Sequence, residues 1–207
     1  MTVAMQGWTT VRLGPPAAGA GGKDPRARSA RRPRRQARPA WVGVAVVVAL
    51  VVSLTAKLFV WPAQDAVAGV HADAVVVLGG PGPRWQVALE LAREHAAGVM
   101  LLSVPSVEWN CPHVALPGVK LECFSPKPSN TMGEVRFAAS QARAHGWHSL
   151  IVVSAVAQDT RARVRLKRCF SGSVYVVTAR PSLATWAYEL VYEWGALAKA
   201  LVFQRAC

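Results

Sequence analysis

Three short segments of this 207-residue chain hold residue types that can bind an anion. The first is Gly79-Gly80-Pro81-Gly82. A glycine-rich turn of this kind frees backbone N–H groups just ahead of a helix, which suits a phosphate or carboxylate. Arg84 follows and can add a fixed charge. The turn matches neither G-x-G-x-x-G nor a Walker A loop, because no G-K-S/T follows. A plain strand-to-helix turn and a solvated surface arginine account for it as well. The second segment, Asn130-Thr131-Met132-Gly133-Glu134, opens a helix, and Thr131 to Glu134 has capping-box spacing. Its N–H groups also lie where a ligand anion would sit. The third runs from Ser154 through Gln158 to Arg161. The helix that follows carries Arg161, Arg163, Arg165, Lys167 and Arg168. Such a run reads as a solvated face, except Arg161, which lies near the helix start. The candidate ligand-binding set is Gly79, Gly80, Arg84, Asn130, Thr131, Glu134, Ser154, Gln158 and Arg161. No G-x-S-x-G elbow supplies a nucleophile. His71, His95, His113, His145 and His148 lack metal spacing. Catalytic residues and cofactor stay unassigned, and no metal is expected.

The elements that must position these residues are legible as an alternation. Short apolar β-branched runs at Asp73–Leu78, Val99–Ser103, Ser149–Ser154 and Ser173–Thr178 read as strands, and Val119–Phe124, which alternates apolar and charged residues, can be another. Between and after them, Arg84–Ala97, Asn130–His145, Asp159–Cys169 and Leu183–Phe203 read as helices, with Gly146 at a C′ position. Residues 104–118 form a proline-rich loop. Strands apolar on both faces, separated by helices, predict an α/β domain with a doubly wound, mostly parallel sheet and helices on both faces. Such sheets bind ligands beyond the carboxyl ends of their strands, where all three segments fall.

The net charge of +13 and the 52% hydrophobic content are segregated along the chain. Residues 1–40 hold nine Lys/Arg against Asp24 alone, or +8. Five prolines and self-repelling arginines oppose packing there, so a disordered basic tail is expected. Trp41–Trp61 is an apolar run of 21 residues, about 31 Å as a helix and enough to cross a bilayer. A tryptophan at each end suits the interfaces, Lys57 can snorkel, and Pro62 ends the helix. Ala66-Val67-Ala68 has a small-x-small cleavage pattern, but it lies far past the apolar run. The expected organisation is a cytoplasmic tail over 1–40, a transmembrane helix over 41–61, a linker over 62–72 and an extracytoplasmic domain over 73–207. Nucleic-acid binding by Arg31-Arg32-Pro33-Arg34-Arg35 would require the domain to lie inside; a juxtamembrane positive patch is the plainer reading.

The four cysteines, Cys111, Cys123, Cys169 and Cys207, all follow the apolar run. An even number in an exported domain is what disulfides require. Pairing Cys111 with Cys123 costs little loop entropy and leaves Cys169 for Cys207. Four unpaired buried thiols would instead suit a cytosolic domain. A zinc site has only His113 near Cys111 and no C-x-x-C.

These residues, in this order, resemble the bacterial domain-of-unknown-function family of SanA, ElyC and YdcF proteins. The strand and turn at Asp73–Gly80 followed by Arg84 are similar to the family's opening. Ser129–Val135 looks like its s-x-n-T-x-E-N segment, and Ser154–Ala162 like its T-S-x-x-H-x-x-R-A segment. Tyr192-Glu193-Trp194 fits the terminal helix, so the resemblance covers about residues 73–204. It departs at Gln158, where the family usually has His, and at Val135, where it usually has Asn. An amide does not titrate near neutral pH, so Gln158 cannot transfer a proton, though it can hydrogen-bond. The resemblance implies a bacterial membrane-anchored cell-envelope protein that binds a small anionic ligand, phosphorylated or nucleotide-like, in envelope or peptidoglycan precursor metabolism. The alternative is a non-catalytic interaction module.

Overall fold

The structure is a computed structural model that describes Gly14 and residues 37–207. Most of the expected basic tail lies outside the described residues. The chain divides into two units at Val42/Gly43, and the one from Gly43 to Cys207 carries the sheet and the cleft.

Helix α1 (Ala37–Thr55) passes into a π-helical turn, Ala56–Val60, which a bend at Trp61 ends. Within it Ala40–Val60, 21 residues, is long and apolar enough to cross a membrane. Phe59, at its end, is fully buried against the domain.

Five strands form one all-parallel sheet: β1 (Ala74–Val77), β2 (Val99–Ser103), β3 (Lys120–Phe124), β4 (Ser149–Ala155) and β5 (Ser173–Ala179). Their order is β3-β2-β1-β4-β5. The pleat sends alternate residues to opposite faces. Val75, Val77, Met100, Leu102, Ile151 and Val153 pack with Ala88, Leu91 and Ala92 of α2 (Arg84–Arg93). Ala74, Val76, Leu101, Leu150 and Val152 pack with Val135 and Ala138 of α4 (Thr131–His145) and with Ala162 and Leu166 of α5 (Asp159–Cys169). This two-sided burial is why β1, β2 and β4 read as nearly unbroken apolar runs, whereas the edge strand β3 is half-buried and alternates with Lys120 and Glu122. The loop after β2 contains a short helical turn, α3 (Val107–Asn110). The last helix is α6 (Leu183–Val202).

Asn130 is the N-cap of α4: its side-chain oxygen accepts the N–H groups of Met132 at 2.9 Å and Gly133 at 3.2 Å. The capping box expected from Thr131 and Glu134 does not form, because the Glu134 carboxylate turns to the sheet edge. Gly146 ends α4 in the left-handed conformation, φ 66°. Both disulfides are present, Cys111–Cys123 and Cys169–Cys207.

The basic run on α5 is not the solvated face its composition predicts. Arg161 and Arg165 are buried, and Arg163 holds the linker. Its Nη1 pairs with Asp65 at 2.7 Å, its Nη2 donates to the Ala63 carbonyl, and its Nε binds Asp159. Asp65 also accepts the Val176 N–H at 2.7 Å, which fixes the linker to β5. Positions 161 and 165 are one helical turn apart, so one face of α5 can be buried while its other arginines remain at the surface.

A Cβ on Gly133 would run into the carbonyl oxygen of Pro128, because the loop before α4 folds back over its first turn. Gly133→Ala is therefore expected to destabilise the protein by roughly 1–3 kcal/mol, as overpacking does. Thermal melts of the full chain in detergent measure this; an unchanged Tm would show that the loop yields.

Candidate functional site

The carboxyl ends of β1, β2 and β4 open into one cleft of about 420 Å³, with α6 as its far wall. That is large enough for a small organic ligand. The Gly79-Gly80 turn, Arg84, Ser103, Asn130, Thr131, Glu134, Gln158 and Arg161 line it from the sheet side, and Tyr188, Glu189, Tyr192 and Glu193 from α6. Eight of the nine expected ligand-binding residues thus meet in one place. Ser154 does not: it is fully buried and its hydroxyl donates to the Ala155 carbonyl at 3.2 Å. Alternation along β4 puts it on the face of Leu150 and Val152, which packs against α4 and α5.

Glu134 joins three elements. One of its oxygens accepts the Gly79 N–H at 2.6 Å and the Ser103 hydroxyl at 2.7 Å. The Gly79 N–H, expected to meet a ligand, is therefore already engaged by the chain's own carboxylate. A Cβ on Gly79 would lie 3.0 Å from that carboxylate oxygen and 3.1 Å from Ser103 Oγ, so any larger residue there would press on both side chains by a few tenths of an ångström. Gly80, at φ 116°, sits where a Cβ would lie 2.8 Å from Arg84 Nη1.

Arg161 corrects the sequence reading in another way. It is buried, and its Nε and Nη2 form a bidentate pair with Glu193 at 2.8 and 2.6 Å. Its Nη1 donates to the Thr131 hydroxyl oxygen at 2.8 Å. Glu193 is also buried. The guanidinium has its own counterion, so it builds the wall of the cleft and is not an open charge for a ligand. Gln158 bridges the remaining pieces. Its Nε2 donates to Thr131 Oγ1 at 2.6 Å, and its Oε1 accepts from Arg84 Nη2 at 3.2 Å.

Arg84 is different. It is 5% exposed, and its Nε and Nη1 meet no acceptor among the described residues. Burial pushes its pKa down, opposed by the charges of Glu189, Glu134 and Glu193. A buried guanidinium with two unmet donors is costly unless an acceptor arrives. Facing it, Glu189 has one buried oxygen with no partner among the described residues, and burial raises its pKa against the pull of Arg84. The lining holds two arginines and three glutamates. With Arg161 and Glu193 paired, the open chemistry is one cationic donor set and one carboxyl group.

Ser103, Glu189 and Glu193 were missed from the sequence. A signal was present for the two glutamates: in a helix otherwise apolar except for Lys199, a carboxylate needs a buried partner or a cleft.

Arg161→Met alone would leave Glu193 buried without its cation and should cost roughly 3–5 kcal/mol, while adding Glu193→Leu should recover much of the loss, as apolar replacement of buried pairs does. Thermal melts of the three variants decide this; additive losses would mean that the pair is not a unit. Glu189 gives a pH dependence. Its raised folded pKa means the folded state binds the proton more tightly, so stability falls as pH rises above the ordinary carboxylate range. Glu189→Gln should remove that decline and be at least as stable as the parent at pH 7; a decline left intact assigns it elsewhere. No family model, no curated protein and no solved structure matches the chain.

Proposed function

We propose that the chain is a single-pass cell-envelope protein whose extracytoplasmic domain binds a small ligand carrying an anionic group and hydroxyls, phosphorylated or nucleotide-like. The observation that carries this reading is Arg84: a buried guanidinium with two unmet donors at the mouth of a parallel sheet. A phosphate or carboxylate meets such a fork with charge-assisted hydrogen bonds. Glu189, opposite, suits a hydroxyl of the same ligand. The strand order reverses between β1 and β4, as in a doubly wound, Rossmann-like domain, and ligands of such sheets sit at that reversal. The apolar helix, the arginine-rich segment before it and the two disulfides after it support a bacterial plasma-membrane anchor with the domain outside. The resemblance to SanA, ElyC and YdcF proteins points to envelope precursor metabolism.

A second reading, an interaction module without chemistry, is favoured by Gln158. The position where that family usually has His here holds an amide engaged at both ends.

Titration calorimetry of the full chain in detergent, with pyrophosphate and uridine monophosphate as probes, tests the first reading. Binding by the parent and a loss of about 10–100-fold in Arg84→Gln is expected for a charge-assisted contact. No binding of either probe by the parent would sink it. Turnover separates the two readings: phosphate release from the same nucleotide by Gln158→His, absent from the parent, would indicate a lost reaction. Equal inactivity of both would leave binding as the site's role.

A further inference from the structure

One long face of α6 is apolar and uncovered. Leu183, Tyr188, Val191 and Val202 are 80%, 72%, 78% and 55% exposed. Of the charged residues on this helix, Glu189 and Glu193 turn into the cleft, which leaves Lys199 as the exposed one. A face of this kind on an exported domain marks an interaction surface.

What α6 packs against says what covers that face. Trp194 Nε1 donates to Thr55 Oγ1 at 3.1 Å, and its ring meets Phe59 edge-on at 5.3 Å. Trp186, Leu190 and Leu197 gather in the same cluster with Leu58 and Phe59. The cluster also takes in Ala157 of the turn after β4, so α6 lies against that turn and the last turns of the apolar helix together. Thr55, which Trp194 reaches, belongs to the apolar span Ala40–Val60, whose Leu50, Val51, Val52 and Leu54 are exposed. The uncovered face of α6 thus begins beside an apolar surface that a bilayer would cover. A helix held at the end of a bilayer span with an apolar face uncovered lies where acyl chains meet headgroups.

We infer that α6 is an interfacial membrane helix. Its exposed face lies in the headgroup–acyl boundary of the leaflet at the Val60 end of the span, so the cleft opens beside the lipid headgroups. Tyr188 and Tyr192, 72% and 53% exposed at the rim of the cleft, suit this boundary, with an apolar body and a polar tip. The inference rests on reading Ala40–Val60 as a bilayer span, and not on the identity of the cleft's ligand.

The test places single nitroxide labels on added cysteines, Val47→Cys, Glu94→Cys, Leu183→Cys and Val191→Cys, in the oxidised full chain. The protein is reconstituted at low density in phosphatidylcholine vesicles. Relaxation by oxygen, which partitions into lipid, is compared with relaxation by a water-soluble nickel chelate. Labels at 191 and 183 are expected to behave like the one at 47, relaxed several-fold more by oxygen than by nickel, and the label at 94 to do the reverse. Labels on α6 as open to nickel as that at 94 overturn the inference. So do α6 labels shielded from both reagents, the signature of a covering protein copy. A label at 47 open to nickel overturns the bilayer span itself, whereas a lipid-facing 47 with a wet 191 overturns only the placement of α6.

Discussion

A guanidinium taken out of water is costly to the extent that acceptors fail to meet it, and the Arg161–Glu193 pair is where this domain meets that demand in full. The pair joins α5 to α6, and the third donor of Arg161 reaches the first residue of α4. Three helices are thereby tied at one point above the sheet. Glu134 does the same on the other side, tying α4 to the turn after β1 and to the end of β2. Below these polar ties the sheet is dry on both faces. The walls of the cleft are therefore set by hydrogen-bonded charges, and its floor by apolar packing.

Arg84 stands out by contrast with Arg161. Both are buried, both face the cleft, and they are linked in a chain: Arg84 to Gln158, Gln158 to Thr131, and Thr131 to Arg161. One has a carboxylate in bidentate contact; the other has only more distant carboxylates that oppose the effect of burial on its pKa. The cleft is not an electropositive funnel, since its glutamates outnumber its arginines. Its open groups are a donor set at Arg84 and a carboxyl at Glu189.

The sheet was legible because its physics is local. Strands buried on both faces, β1, β2 and β4, are apolar at nearly every position, and Gly80, Asn130 and Gly146 punctuate the chain in ways that backbone geometry requires. The site was legible in part for a related reason: a parallel sheet brings its loops to one edge, so residues far apart in sequence could be placed together. What stayed hidden were pairings that depend on how helices dock. Nothing near Arg161 announces that its counterion lies 32 residues away on α6. Nothing near Arg163 announces Asp65, 98 residues earlier. A run of alternating arginines puts charges on two opposite sides of a helix, so composition alone cannot say which are inward. The buried Arg165, whose pKa burial lowers, shows the same limit.

The grip of Arg163 on Asp65 and Ala63 bears on reach. An unrestrained linker over 62–72 could let a domain roam about 36 Å from its anchor, at about 3.3 Å per residue. With residues 63–65 bound to α5 and β5, and Phe59 sunk into the same unit, that tether is shortened to almost nothing. Where Ala40–Val60 crosses a membrane, this fixes the working height. Such a domain does not cast outward; whatever reaches its cleft must come to the foot of the helix.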